Sequence, residues 1–76
     1  MHKRSLTIHG HRTSISLEEP FWIALNEIAK ARQQSLASLV QKIDKKRDGG
    51  LSSAIRVFIL VELRHQLAAI KTTKAS

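Results

Sequence analysis

The chain has no cysteine, a single proline, three glycines and only three aromatic residues among its 76 positions. Without cysteine, neither a disulfide framework nor a thiolate metal site can stabilise so short a chain. A domain of this size buries only about 60% of its unfolded surface, so its core is marginal and association is the usual remedy. An apolar content of 42% argues against disorder. The composition therefore predicts one folded domain over residues 1–76 that forms an oligomer.

Long apolar segments are also missing. The longest uninterrupted apolar run is Val57–Val61, far below the ~20 residues of a membrane-spanning helix. The N-terminus lacks the apolar segment of a signal peptide, because Leu6 and Ile8 stand among polar residues. We therefore expect a cytoplasmic protein that has no membrane partner.

Acidic residues are scarce. Six Asp and Glu stand against thirteen Lys and Arg, which gives a formal charge of +7 and a sequence pI near 10.7. Residues 1–16 contain no acid, and positive charge returns over residues 42–47. For a basic domain of this size, such an excess predicts a nucleic-acid partner and one face set against phosphate.

The N-terminal segment has the alternation of extended structure. Apolar or β-branched side chains fall at alternate positions in two sets, Leu6 and Ile8, then Thr13, Ile15 and Leu17. The phase changes at Gly10, where a type II′ turn at Gly10-His11 would pair Ile8 with Thr13. The alternative is that residues 5–10 form a kinked arm and not a hairpin with residues 12–17. The sequence does not choose between the two. Residues 1–4 are expected to be flexible.

From Glu18 onward the apolar period is close to 3.6. Pro20 suits the first turn of a helix over residues 19–33, and Ser35 is a natural N-cap for a second helix. Asp48-Gly49-Gly50 ends that second helix. Ser52 or Ser53 can cap a third helix over residues 54–67, and residues 71–76 are expected to be flexible.

The third helix is apolar all round between Val57 and Val61. A helix without a polar side must be covered on several sides. A monomer of 76 residues can hardly provide that cover, whereas the core of a dimer can. This helix is the strongest argument in the sequence for a homodimer.

One segment resembles a known family. Residues 12–22, RTSISLEEPFW, look like the opening of short bacterial ribbon-helix-helix proteins of the Arc and MetJ type, in which an L-S-S-A-I-R stretch follows, here Leu51–Arg56. The likeness covers about residues 4–65. It implies a mainly α fold, a ribbon-helix-helix with an extra C-terminal helix, in an intertwined homodimer that shares an antiparallel β-ribbon.

The resemblance implies how DNA is contacted. In the family, the ribbon lies in the major groove of double-stranded DNA, where base edges present distinguishable patterns. Side chains alternate along a strand, so the outward residues Arg12, Ser14 and Ser16 match the base-reading positions. Arg12 can hold a guanine by two hydrogen bonds. The ordinary alternative is a solvated strand face.

Phosphate contacts are expected from two sources. The first is the start of the second helix, where free backbone N–H groups at Ser35, Leu36 and Ala37 suit an anion. Gln34 stands where the family often has glycine, which leaves this turn's geometry open. The second source is a set of basic side chains: Lys3, Arg4, Lys42 and Lys45. A solvated helix end is the alternative for the last two.

Catalysis and metal binding find little support. His9 and His11 are two residues apart, but no cysteine or clustered carboxylate completes a ligand set, and no nucleophile motif is present. We expect no cofactor and no enzyme activity. The implied function is sequence-specific DNA binding and transcriptional repression by a homodimer, alone or as a dimer of dimers. The alternative is a protein-interaction module, or an antitoxin-like component, that uses the apolar third helix.

Overall fold

A computed structural model describes the chain over residues 1–75, and its side chains over residues 1–69. Two antiparallel strands come first, β1 (His2–Ile8) and β2 (His11–Leu17). Three helices follow them, α1 (Glu19–Ala31), α2 (Leu36–Lys46) and α3 (Leu51–Ala75). This order confirms the predicted architecture of a two-stranded ribbon, two short helices and an extra C-terminal helix.

The hairpin turn lies at His9-Gly10, so the predicted type II′ turn at Gly10-His11 is wrong. Both turn residues have positive φ, 51° for His9 and 80° for Gly10, as a type I′ turn requires. Glycine adopts this backbone freely, and histidine tolerates it better than most residues. Ile8 therefore pairs with His11, and Leu6 with Thr13. The apolar residues still share one face, because the register moved by two residues.

The hairpin also incorporates the expected N-terminal arm. His2 to Arg4 belong to β1, and the Trp22 indole Nε1 donates a hydrogen bond to the His2 carbonyl oxygen at 2.9 Å. Residues 2–4 therefore belong to a paired strand and not to a separate arm, and the flexibility expected of residues 1–4 stays a prediction. One chain supplies both strands of this ribbon, and a ribbon shared between two chains stays a prediction.

Helix α1 begins where predicted and ends two residues earlier. Gln33 has a φ of 55°, its N–H bonds to the Lys30 carbonyl at 3.0 Å, and the Gln34 N–H bonds to the Ala29 carbonyl at 2.9 Å. This pair of bonds is a Schellman motif, which closes a helix with a left-handed residue. The left-handed position that would favour glycine is thus Gln33 and not Gln34.

The boundaries of the other helices are partly as expected. Ser35 Oγ accepts the Ser38 N–H at 3.0 Å, which confirms the cap of α2. Helix α3 begins at Leu51, so Ser52 and Ser53 lie inside its first turn and are not caps. Its backbone continues to Ala75, beyond the predicted end at residue 67. The flexibility expected of residues 71–76 stays a prediction, and Ser76 lies outside the described residues.

The core lies between the inner face of the hairpin and the three helices. Its largest fully buried side chains are Trp22, Ile15, Leu17, Leu25, Leu39, Ile55, Ile59 and Val40. Helix α3 contributes only one side to this core. Its opposite side carries exposed apolar residues, among them Val57 (58% exposed) and Leu60 (57% exposed). A single chain therefore leaves the apolar middle of α3 uncovered, as the sequence predicted.

An ion pair ties the start of α1 to α3. Arg56 donates from Nε to Glu18 Oε1 at 3.0 Å and from Nη2 to Oε2 at 3.2 Å. A backbone hydrogen bond at Glu18, and after it the bond from Arg56, lower the pKa of the Glu18 carboxyl below its ordinary value of 4.5. Stabilisation of this kind is present above the unfolded pKa and is lost as the pH falls through the lower folded value.

This pair gives a prediction about acid stability. We expect Glu18→Gln to lose less thermal stability than the unmodified chain between about pH 6 and about pH 3, because Gln cannot be protonated in that window. Melting temperatures followed by circular dichroism at a series of pH values measure the difference. Identical pH profiles for the two proteins would contradict a role for this pair.

Candidate nucleic-acid interface

The outer face of the hairpin is a regular array of polar side chains. Successive residues of a strand point to opposite faces, and directly paired residues share a face. The register pairs Lys3 with Ser16, Ser5 with Ser14, and Thr7 with Arg12. Five of these six residues are exposed, and Ser16 is half-buried. They form what is called here the ribbon face: Lys3, Ser5, Thr7, Arg12, Ser14 and Ser16.

The ribbon face is suited to an anionic partner. It carries two cations, four hydroxyl groups and no acid. Within the described residues, Arg12 has no ion pair and no side-chain hydrogen bond to the protein, which leaves its guanidinium free for a ligand. Arginine is the side chain that most often reads guanine in the major groove, and serine adapts to several bases. The predicted orientation of Arg12, Ser14 and Ser16 agrees with this arrangement.

Two members of the ribbon face were not among the predicted contacts. Ser5 and Thr7 lie on β1 directly opposite Ser14 and Arg12. Because the sequence left residues 5–10 either in a hairpin or in a kinked arm, their face could not be assigned. A hairpin in either register would have placed them on this face, because the two possible turn positions differ in register by two residues and side chains alternate with a period of two.

Arg4 lies on the other face, apart from Lys3. It is paired with the buried Ile15, and its guanidinium carbon lies 5.1 Å from the centroid of the Trp22 ring. Adjacent strand residues point in opposite directions, so Lys3 and Arg4 cannot form one basic patch on a flat ribbon. The strand alternation therefore separates Arg4 from Lys3, with which the sequence had grouped it as a phosphate contact. The cation–π contact gives Arg4 a structural role instead.

The first turn of α2 offers backbone donors. Ser35 Oγ uses the Ser38 N–H, and the Ser35 carbonyl accepts the Leu39 N–H at 3.0 Å. The N–H groups of Leu36 and Ala37 have no acceptor within the described residues, and the first turn holds no acid. A helix start of this kind carries a partial positive charge that favours anions.

The basic residues of α2 lie on different sides of the helix. Gln41 and Asp44 face the hairpin, since Gln41 Oε1 accepts the His9 N–H at 3.1 Å and Asp44 Oδ2 lies 3.5 Å from His9 Nε2. At 100° per residue, Lys45 points away from the core, and Lys42 points to the flank opposite Asp44. There Lys42 lines a groove with α3. Lys42 and Lys45, predicted together as phosphate contacts, are thus separated.

His9 is engaged by Asp44 and Gln41, and across the part of the chain that the structure describes, His, Asp and Glu residues nowhere gather in threes as metal ligands would. Among those same residues, no helix combines the length and the apolarity needed to cross a membrane.

Comparison with known proteins agrees with the geometry. A family model described as the ribbon-helix-helix domain matches residues 1–63, which include the hairpin, α1, α2 and the first half of α3. No curated protein and no solved structure is significantly similar to the chain. Domains of this family are DNA-binding regulators that generally act as dimers. The chain therefore belongs to the ribbon-helix-helix domain family.

Proposed function

We propose that this protein binds double-stranded DNA sequence-specifically, with its ribbon face in the major groove, and acts in the bacterial cytoplasm as a transcriptional repressor that occupies an operator. The observation that carries the proposal is the ribbon face, with two cations, four hydroxyl groups and no acid on one side of a two-stranded ribbon. A major groove about 12 Å wide admits two strands side by side, and in the dimer proposed below these are the two β2 strands.

The proposed contacts divide by their chemistry. Arg12, Ser14 and Ser16 on β2 contact base edges. Lys3 lies one strand away, about 4.8 Å toward the rim, where the phosphates that flank the groove are found. The free N–H groups in the first turn of α2 and the outward Lys45 supply further phosphate contacts. Arg4 and Lys42 are left out, because their side chains face elsewhere.

In the proposed homodimer, a two-fold axis relates the ribbon faces of the two chains. In a hairpin with a two-residue turn, His11, Thr13, Ile15 and Leu17 exchange hydrogen bonds with β1, so the backbone groups of Arg12, Ser14 and Ser16 point to the free edge. We propose that two β2 strands pair antiparallel about Ser14 along this edge. A cavity of about 430 Å³ lies beside that edge, between β2 and Arg47, Leu51 and Ser52.

The exposed apolar side of α3 is the second part of the proposed dimer contact. It carries Val57, Leu60, Val61, Leu63 and Leu67, and a second copy that covers it removes a large apolar patch from water. We expect the melting temperature to rise with protein concentration, since folding and association are then linked. Calorimetry over a hundredfold concentration range measures this. A folded monomer in sedimentation at micromolar concentration would contradict the dimer.

Individual arginines of the hairpin are expected to have separate roles. Arg12→Ala should weaken binding to the specific site by about 1–3 kcal/mol for each bidentate base contact, and by up to about twice that in a symmetric dimer. Arg4→Ala is the matched control, because it removes the same charge from the opposite face. It should cost about 0.5–1 kcal/mol of folding stability and leave the discrimination between sites unchanged. Titrations of a specific and a scrambled duplex distinguish the two variants.

The experiment that tests the proposed function is selection of genomic fragments that bind the purified protein at physiological salt. We expect enrichment of a short motif with two-fold symmetry, bound on the order of a thousandfold more tightly than a scrambled duplex. Recovery of fragments with no common motif would mean that the ribbon face does not read sequence.

The apolar side of α3 also supports a second candidate function. It can dock a different protein, as in a protein-interaction module or an antitoxin-like component. A stoichiometric partner that copurifies with the protein, together with weak and salt-insensitive DNA binding, would favour this second function.

A further inference from the structure

A groove lies between α2 and α3, on the flank of α2 opposite the hairpin. Its volume is about 380 Å³, within the range of about 300–1,000 Å³ that is typical of small-molecule sites. Apolar side chains make up much of its lining, namely Leu39, Ile43, Val57 and Phe58. The proposed DNA contacts make no use of this groove.

Positive charge surrounds the groove. Four cations line it, Arg32, Lys42, Lys46 and Arg47, against one acid, Asp48. The two arginines are already engaged. Arg32 Nη2 lies 2.6 Å from Glu62 Oε2, and Arg47 Nε lies 2.6 Å from Asp44 Oδ1. The two lysines are therefore the groove's available charges.

Lys42 and Lys46 are four residues apart on α2, so their side chains are neighbours on the helix surface. Neither forms an ion pair within the described residues. Two like charges at this spacing repel each other. An anion between them adds an attraction to each lysine, and these attractions offset the repulsion. The apolar lining lies beside them, with Leu39 and Ile43 on α2 and Phe58 on α3.

We propose that this groove binds a small amphipathic carboxylate, an acyl chain or ring that carries a single anionic head group. The head group lies between Lys42 and Lys46, and the apolar body lies against Ile43 and Phe58. A neutral apolar molecule would leave the lysines without a counter-charge, and a cation would be repelled. A DNA phosphate has no use for the apolar lining. A ligand with both characters complements the whole groove.

The test uses the full chain and three probes that have the same eight-carbon body: octanoate, octan-1-ol and octylammonium. Isothermal titration calorimetry should show saturable binding of octanoate at one site per chain, at least about tenfold tighter than octan-1-ol. Octylammonium should not saturate. Absence of saturable octanoate binding in the millimolar range, or equal affinities for the three probes, would overturn the proposal.

Two variants and a control locate the site. Ser53 is exposed and lines the groove in the first turn of α3, where an acid is compatible with the helix. Ser53→Glu should abolish octanoate binding, and Lys46→Gln should weaken it about three- to tenfold. Lys30→Gln makes the same charge change outside the groove and should have no effect. An equal loss of octanoate binding in Lys30→Gln would overturn the proposal, because the attraction would then be a general effect of charge. Dissociation of the dimer by Ser53→Glu would also overturn it, because the groove would then be a contact between chains.

Discussion

Ile15→Asp is expected to abolish folding, whereas Ser14→Asp at the next position should leave the fold intact. Ile15 is 2% exposed and belongs to the core. Its replacement removes about 1.5–3 kcal/mol of apolar burial and places a carboxylate where it has no partner, which costs several kcal/mol more. Small domains are stable by only about 5–15 kcal/mol in total. A chain of 76 residues is expected to lie near the lower limit.

Ser14→Asp introduces the same carboxylate on the ribbon face, where water solvates the charge. Its cross-strand neighbour within the hairpin is Ser5. In the proposed dimer the two new carboxylates lie opposite each other across the ribbon, which should cost about 0.2–1 kcal/mol, far less than a buried charge. Far-ultraviolet circular dichroism should show a native spectrum for this variant and an unfolded one for Ile15→Asp. Because the new carboxylate would enter the major groove of a polyanion, Ser14→Asp should also lose DNA binding. An unfolded Ser14→Asp beside a folded Ile15→Asp would mean that the hairpin faces are reversed.

DNA affinity is expected to fall about a thousandfold when salt is raised from about 50 to 200 mM, if six or more phosphates are neutralised by the dimer. Each chain offers phosphate contacts from Lys3, Lys45 and the start of α2. Two chains therefore contact about six phosphates, and every neutralised phosphate releases condensed counterions.

The salt dependence is measured by titrating one duplex at several salt concentrations. The slope of log affinity against log salt gives the number of neutralised phosphates. Lys45→Ala should make the slope shallower and weaken specific and scrambled duplexes alike. Lys42→Ala is the matched control on α2, and it should leave the slope nearly unchanged, because Lys42 lines the α2–α3 groove. A flat salt dependence would mean that the charge of +7 serves another purpose.

The outward face of β2 could be predicted from the sequence because strand alternation does not depend on the register. Thr13, Ile15 and Leu17 define an inner side, so Arg12 and Ser14 must lie on the other. The turn could not be predicted in the same way. Glycine is accepted in both type I′ and type II′ turns, and the choice depended on whether histidine would take a positive φ at position 9.

The roles of neighbouring basic residues were harder to predict, because a count of charges treats them as equal. Lys3 and Arg4 are adjacent in sequence, yet one lies on the ribbon face and the other lies over the Trp22 ring. Lys42 and Lys45 are three residues apart on one helix, yet only Lys45 points outward. The first difference follows from strand alternation once residues 2–8 are known to form a strand. The second depends on which flank of α2 contacts the hairpin, and that is a tertiary feature.

The central claim is that the ribbon face reads DNA from the major groove, and methylation interference on the selected duplex tests it most directly. Methylation of guanine N7 modifies the major groove, whereas methylation of adenine N3 modifies the minor groove. The account predicts that N7 methylation of a guanine in each half-site blocks binding of the unmodified protein. Binding of Arg12→Ala should be indifferent to methylation of that guanine. Interference from adenine N3 alone, or an identical pattern for the two proteins, would contradict the claim.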